Sequence, residues 1–121
     1  MEPNGRDVPI ETLDHAFVET GRIPALIKLD VEGYEAEVLR GARAVLAAPS
    51  LKAVLTENRS TPVVDILKRS GMTEFAYDAF VHQLVPADEV PMANALFLRD
   101  FDYVAERVSQ TPPMRIYGTM V

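Results

Sequence analysis

The stretch PALIKLDVEGYEAEVLRGA, residues 24–42, constrains the fold more than any other part of the chain. Leu26, Ile27, Leu29 and Val31 make a short apolar run that ends among Asp30 and Glu32, with Gly33 and an amphipathic segment directly behind. An unpaired carboxylate is costly to bury, so a strand over 25–31 must release its acids at the edge of a sheet. The Leu26–Ile27 pair, followed only by Lys28 before the run resumes, predicts burial on both faces, as in a parallel sheet. From Tyr34 to Ala47 a single helix is predicted, because Val38, Leu39, Ala42, Val45 and Leu46 recur on one face. Glu37, Arg40 and Arg43 fall outside that face. Pro49 ends the helix, and LKAVLT, residues 51–56, reads as a second buried strand finishing at Glu57 and Asn58.

The remaining punctuation extends this pattern. Residues 1–7 are polar and loose, and Val8–Ile10 reads as a short extended piece because the residue before Pro9 is pushed toward the β region. Thr12 is a helix N-cap, with Leu13, Ala16 and Phe17 at helical spacing and Gly21 as the stop. Ser60 or Thr61 caps a further helix with Pro62 in its first turn; Val63, Ile66 and Leu67 are its apolar side and Gly71 closes it. Phe75–Tyr77 and Phe80–Val85 read as a hairpin about Asp78–Ala79. A proline-bounded loop covers 87–92, Asn94–Arg99 is a strand, Phe101–Val108 a short helix, and two prolines exclude helix from the tail, 110–121. From residue 25 the order is β–α–β–α–β–β–β–α. That is an α/β layer with a mixed sheet, early strands parallel and late ones antiparallel.

Composition narrows the function classes. Apolar residues are 48% of 121, enough for one core, and none of them form a run near the roughly 20 residues of a membrane span. The N-terminus has no basic-then-apolar leader, and there is no cysteine, so disulfides, thiolate metal sites and a cysteine nucleophile are excluded. A cytoplasmic location is the expectation. Net charge is −6 and the twelve basic residues are scattered, with no run beyond the Lys68–Arg69 pair, which argues against nucleic acid as a partner.

Ligands of such sheets sit outside the carboxyl ends of the strands. Asp30, Glu32, Glu57 and Asn58 all occupy that rim. One reading is capping: either early acid can accept from free N–H groups of the next helix, and Glu32 and Glu35 complement its dipole. The other adds chemistry, since acids from two neighbouring strands can orient a hydroxyl, take its proton or hold a divalent cation. Tyr34 can touch a substrate or be half-exposed packing. His15 and His82 have no ligand-like spacing, and Ser60 has no His–Asp arrangement beside it. Phe75, Tyr77, Phe80, Phe97, Phe101 and Tyr103 read as core and hairpin contacts.

IKLDVEGYEAEVLRGA, preceded by IETLDHAFVETG and followed by VLTEN, resembles the FkbM family of S-adenosylmethionine-dependent methyltransferases. GMTEFAYDAFVHQLVP and NALFLRD fit its closing hairpin and last strand more loosely. The resemblance implies a Rossmann-like class I methyltransferase fold of which these are the later strands. It also implies methyl transfer to a hydroxyl of a small molecule or sugar, with S-adenosylmethionine as donor. Asp30 and Glu32 match the family's D-x-E-G-x-E motif and Glu57 the acid after the next strand, which makes them the catalytic candidates. Tyr34 and Asn58 are candidate substrate contacts, and no metal is implied.

The family holds its cofactor on a glycine-rich loop after the first strand and an acid after the second. Here the glycines stand at 5, 21, 33, 41, 71 and 118, never at G-x-G spacing. The chain therefore looks like the C-terminal half only, a single partial domain with weak or no cofactor binding of its own. Such a half leaves the 25–31 strand without an inner neighbour and an apolar surface bare. A homo-oligomer, or a partner supplying the missing half, is the expectation. The alternative function is a noncatalytic truncated or dimerising module of the same half-fold.

Overall fold

In a computed structural model, the structure describes residues 5–89 and 94–112, and the backbone of 115–116 and 119–120. Helix α1 is Leu13–Val18, β1 Leu26–Leu29, α2 Glu35–Arg40, α3 Arg43–Ala47, β2 Ala53–Thr56 and α4 Thr61–Arg69. Strands β3 (Thr73–Asp78), β4 (Gln83–Pro86) and β5 (Ala95–Leu98), helix α5 (Phe101–Ser109) and the two-residue strands β6 (Arg115–Ile116) and β7 (Thr119–Met120) follow. The main sheet has the order β1-β2-β5-β3-β4, with β6-β7 a separate ribbon in the tail. Only β1 and β2 are parallel; β5 enters between β2 and β3 antiparallel to both. The mixed α/β sheet read from the sequence is present.

One face of this sheet carries the core. Ile27 and Leu29 of β1, Val54 of β2 and Ala95 and Phe97 of β5 pack against Leu39, Val45, Leu46, Val63 and Leu67 from α2, α3 and α4. Leu13 and Phe17 of α1 complete that layer. The opposite face holds Leu26, Ala53, Leu55, Leu96 and Leu98, and among the described residues only α5 lies over it, leaving an open cleft of about 830 Å³. Leu26 is consequently 56% exposed, so the burial of β1 on both faces that the sequence predicts is not found. An apolar run records what a strand can cover, and here nothing among the described residues covers its second face.

The predicted helix over 34–47 is two helices. Gly41 leaves the first with its carbonyl bonded to the Asp14 N–H at 3.0 Å. Both Asp14 carboxylate oxygens then accept from Ala44 N–H at 3.0 Å and Val45 N–H at 2.9 Å, so α1 caps α3 from outside. Gly41 is needed for close approach: an added Cβ would stand 3.0 Å from the Thr12 methyl. Thr12 itself caps α1 as expected, accepting from His15 N–H at 3.1 Å, and Gly21 and Gly71 close their helices at φ +69° and +88°.

Smaller departures are local. The hairpin turn spans four residues rather than Asp78–Ala79, because Asp78 accepts from Phe80 N–H at 2.9 Å and from Val81 N–H; β4 therefore starts at Gln83, and Phe80 is exposed rather than packed. Val8–Ile10 pairs with no strand among the described residues, and Ile10 is 98% exposed. Of the predicted loop 87–92, residues 90–92 lie outside those described, as do 1–4 of the loose N-terminus.

Arg99, just past β5, ties these layers together. Its guanidinium donates to the carbonyls of Leu46, Ala48, Leu51 and Ser70, which lie at the ends of α3 and α4 and the entry to β2. Those of Leu46, Ala48 and Ser70 lie at the negative ends of α3 and α4, so a fixed cation there serves hydrogen bonding and helix dipole together. Replacing Arg99 with leucine should lower unfolding free energy by about 2 kcal/mol or more, since several charge-assisted bonds are lost at once. Urea denaturation followed by circular dichroism measures it; an unchanged midpoint would contradict this role.

Candidate functional site

The register of β1 on β2 builds the site. Leu29 pairs with Thr56, so Asp30 and Glu57, the next residue of each strand, leave the sheet side by side at its carboxyl edge. Both are exposed, as is Glu32. The strand cannot continue into α2 directly. A turn over Val31–Tyr34 intervenes, closed by Tyr34 N–H on the Val31 carbonyl at 3.3 Å. Its two central residues are left-handed, Glu32 at φ +45° and Gly33 at φ +101°. Glycine takes that conformation freely, whereas a glutamate there carries about 1 kcal/mol of strain. Strain of this kind collects at functional sites.

Glu35, at the first position of α2, holds the turn in place. It is 4% exposed, the only buried charged side chain among the described residues. Its Oε2 accepts from Gly33 N–H at 2.9 Å and from the Asn58 amide Nδ2 at 2.9 Å. Both partners are local, one from the turn itself and one from the loop after β2. Asn58 is oriented in its turn: its Oδ1 accepts from Ser60 N–H at 2.8 Å and its own N–H donates to Thr56 Oγ1 at 3.1 Å. One carboxylate thus joins the exits of both parallel strands. The Asn58 amide, the Glu35 N–H and the Gly33 N–H, in that order with the amide first, outweigh desolvation and hold the Glu35 carboxyl below the ordinary carboxylate range.

Of the residues that the sequence nominates, Asp30, Glu32 and Glu57 stand on one rim with carboxylates that bond to no other side chain among the described residues. They do not close into a group able to bind a metal ion, nor does any other set of His, Asp and Glu among the described residues. Tyr34 is 68% exposed at the start of α2, free to meet a ligand. Asn58 is mostly committed to Glu35, with one amide N–H to spare. Ser60 occupies the N-cap position of α4 without a side-chain cap bond. The sequence gives Glu35 only the part of complementing the helix dipole. The signal available was the third acid of the D-x-E-G-x-E spacing, which puts a carboxylate one residue after the turn that needs it.

The open cleft lies elsewhere. Its floor runs from Ala25 and Ala53 across Leu96 and Leu98 to α5, and it includes none of the rim acids. No helix among the described residues is long and apolar enough to cross a membrane.

A family model described as the methyltransferase FkbM domain matches residues 2–84, which takes in α1 through β3 and the first residues of β4. Strand β5 and helix α5 fall outside the match. No curated protein and no solved structure matches the chain.

The network carries two expected outcomes. A carboxyl depressed in the folded state stabilises above its unfolded pKa, about 4.3, and that contribution is lost as pH falls through the lower folded value. Glu35→Gln should therefore flatten the loss of stability below about pH 4 that the wild type shows, in thermal melts across the acid range; identical acid limbs would contradict it. Glu32→Gly should relieve turn strain and raise stability by up to about 1 kcal/mol, and a loss of that size would contradict the left-handed geometry.

Proposed function

The chain belongs to the FkbM methyltransferase family, and from that premise we propose that it forms the acceptor side of an S-adenosylmethionine-dependent O-methyltransferase. The sheet order, with an antiparallel β5 inserted beside β2, is consistent with the later strands of the Rossmann-like methyltransferase fold. The observation that carries the reading is the pairing of two parallel strand ends that present Asp30, Glu32 and Glu57 to solvent from a strained, anchored turn. S-adenosylmethionine supplies an electrophilic methyl group on a sulfonium.

The described residues do not fit the cofactor's adenosine. Gly33 is the one glycine on this rim, and its N–H is already taken by Glu35. What the rim does fit is a hydroxyl. Asp30 accepts the hydrogen bond of the acceptor O–H and takes its proton as the oxygen becomes nucleophilic. Glu57, arriving from the neighbouring strand, and Glu32 fix the direction of that oxygen, and Tyr34 and the spare Asn58 N–H contact the rest of a small alcohol or sugar. Placement of this kind is most of what such a transfer requires.

The adenosine is then left to a partner that brings a glycine-rich cradle, and the bare edge of β1 is met by that partner or by a second copy of this chain. The alternative, a noncatalytic module with the same half-fold, is favoured by the missing cradle alone. Calorimetry with S-adenosylmethionine tests the acceptor-side reading: the chain alone should give weak or no heat of binding, and micromolar binding would overturn it. Once a cradle-bearing partner restores methyl transfer, Asp30→Asn should cut kcat by about 10²–10⁴. Unchanged kcat in that assembly would contradict the role of Asp30 as base, and no transfer in any assembly would favour the noncatalytic module.

A further inference from the structure

Strand β1 is the outermost of its sheet, and half of its main-chain groups face outward. Ala25 O accepts from Lys52 N–H at 2.8 Å and Ala53 N–H at 3.0 Å, so Ala25, Ile27 and Leu29 by alternation direct their main-chain groups to β2. Leu26, Lys28 and Asp30 direct theirs away from the sheet. The side chains of these three are exposed, while Ile27 and Leu29 point into the core. Among the described residues nothing pairs with this edge, which therefore carries a lysine and an aspartate two residues apart with their N–H and C=O groups both available.

We infer that this edge pairs with the same edge of a second copy, antiparallel and centred on Leu29. Directly opposed residues of paired strands share a face, so only registers that keep Ile27 and Leu29 on the core side are open. Centring on Lys28 sets two ammonium groups against each other. Centring on Ile27 sets Lys28 against Leu26 and leaves Asp30 outside the seam. Centring on Leu29 sets Lys28 opposite Asp30 of the second copy, twice by symmetry. The same two positions are those whose main-chain groups point outward, so they form the hydrogen-bonded pairs of the new ladder. Ile27 then faces Val31 of the second copy, a valine left 41% exposed in the single chain.

A lone lysine on an edge strand deters pairing; with Asp30 two residues on, it becomes the key that selects one register. Each copy thereby lends an ammonium to the other's rim, beside the first of the three acids. The seam is short against the roughly 1,200 Å² of a stable interface, so association falls on the order of 1–100 µM. The pairing deepens the partner reading given above, choosing the second copy, and it stands or falls independently of methyl transfer.

Sedimentation velocity from about 1 to 200 µM tests it, with circular dichroism confirming that each variant is folded. The wild type should move from monomer to dimer across that range. Lys28→Asp and Asp30→Lys should each weaken the dimer at least tenfold. Mixed one to one, the two variants should associate again, because an all-acidic edge then meets an all-basic one. A wild type that stays monomeric, or variants that dimerise like the wild type, would overturn the proposal. So would a mixture no more associated than its components.

Discussion

The carboxylate of Glu35 ties together the exits of the two parallel strands, and the geometry of the rim depends on it. It receives the N–H of Gly33 from one loop and the amide of Asn58 from the other. Asn58 passes the constraint on through its carbonyl oxygen to Ser60, at the head of α4. Because the buried acid is satisfied from both sides, it can remain ionised without a cation. The neighbouring acids are thereby left unengaged. Of the acidic cluster, Glu35 does the local structural work, while Asp30, Glu32 and Glu57 face outward.

The second organising feature is that the sheet is dressed on one face only. Helices α1 to α4 bury Ile27, Leu29, Val54 and Phe97, and α5 shelters part of the reverse face, where Lys52 meets Asp100 at 3.5 Å and lies 5.1 Å from the Tyr103 ring centroid. Leucines 26, 55, 96 and 98 line what remains open. A free strand edge and a bare apolar face on the same strand give one physical reason for this chain to seek a partner.

Much of the architecture was legible in the sequence because its signals are local. Thr12, Gly21, Gly71 and the apolar periods of β2, α4 and α5 each fix their own surroundings within a few residues. The split at Gly41 was not legible, since the apolar positions keep their helical phase across it and the cause is Asp14, some thirty residues earlier. The exposure of Leu26 was hidden for a different reason: hydrophobicity in β1 does not say whether a covering layer exists. Among the site residues, Asp30, Glu32 and Glu57 were legible as strand-end acids. The role of Glu35 was not, because an acid in the first turn of a helix satisfies the dipole equally well whether it faces solvent or folds back onto its own turn.

The claim on which the account rests is that the Glu35 carboxylate is ionised, covered and bonded to Gly33 and Asn58. A carbon- and nitrogen-detected NMR pH titration observes this directly. The Glu35 side-chain carboxyl should titrate below the ordinary value of about 4.3, with the Gly33 amide proton and the Asn58 side-chain amide moving at the same midpoint. A Glu35 carboxyl that titrates at the ordinary value while both amides stay still would contradict it.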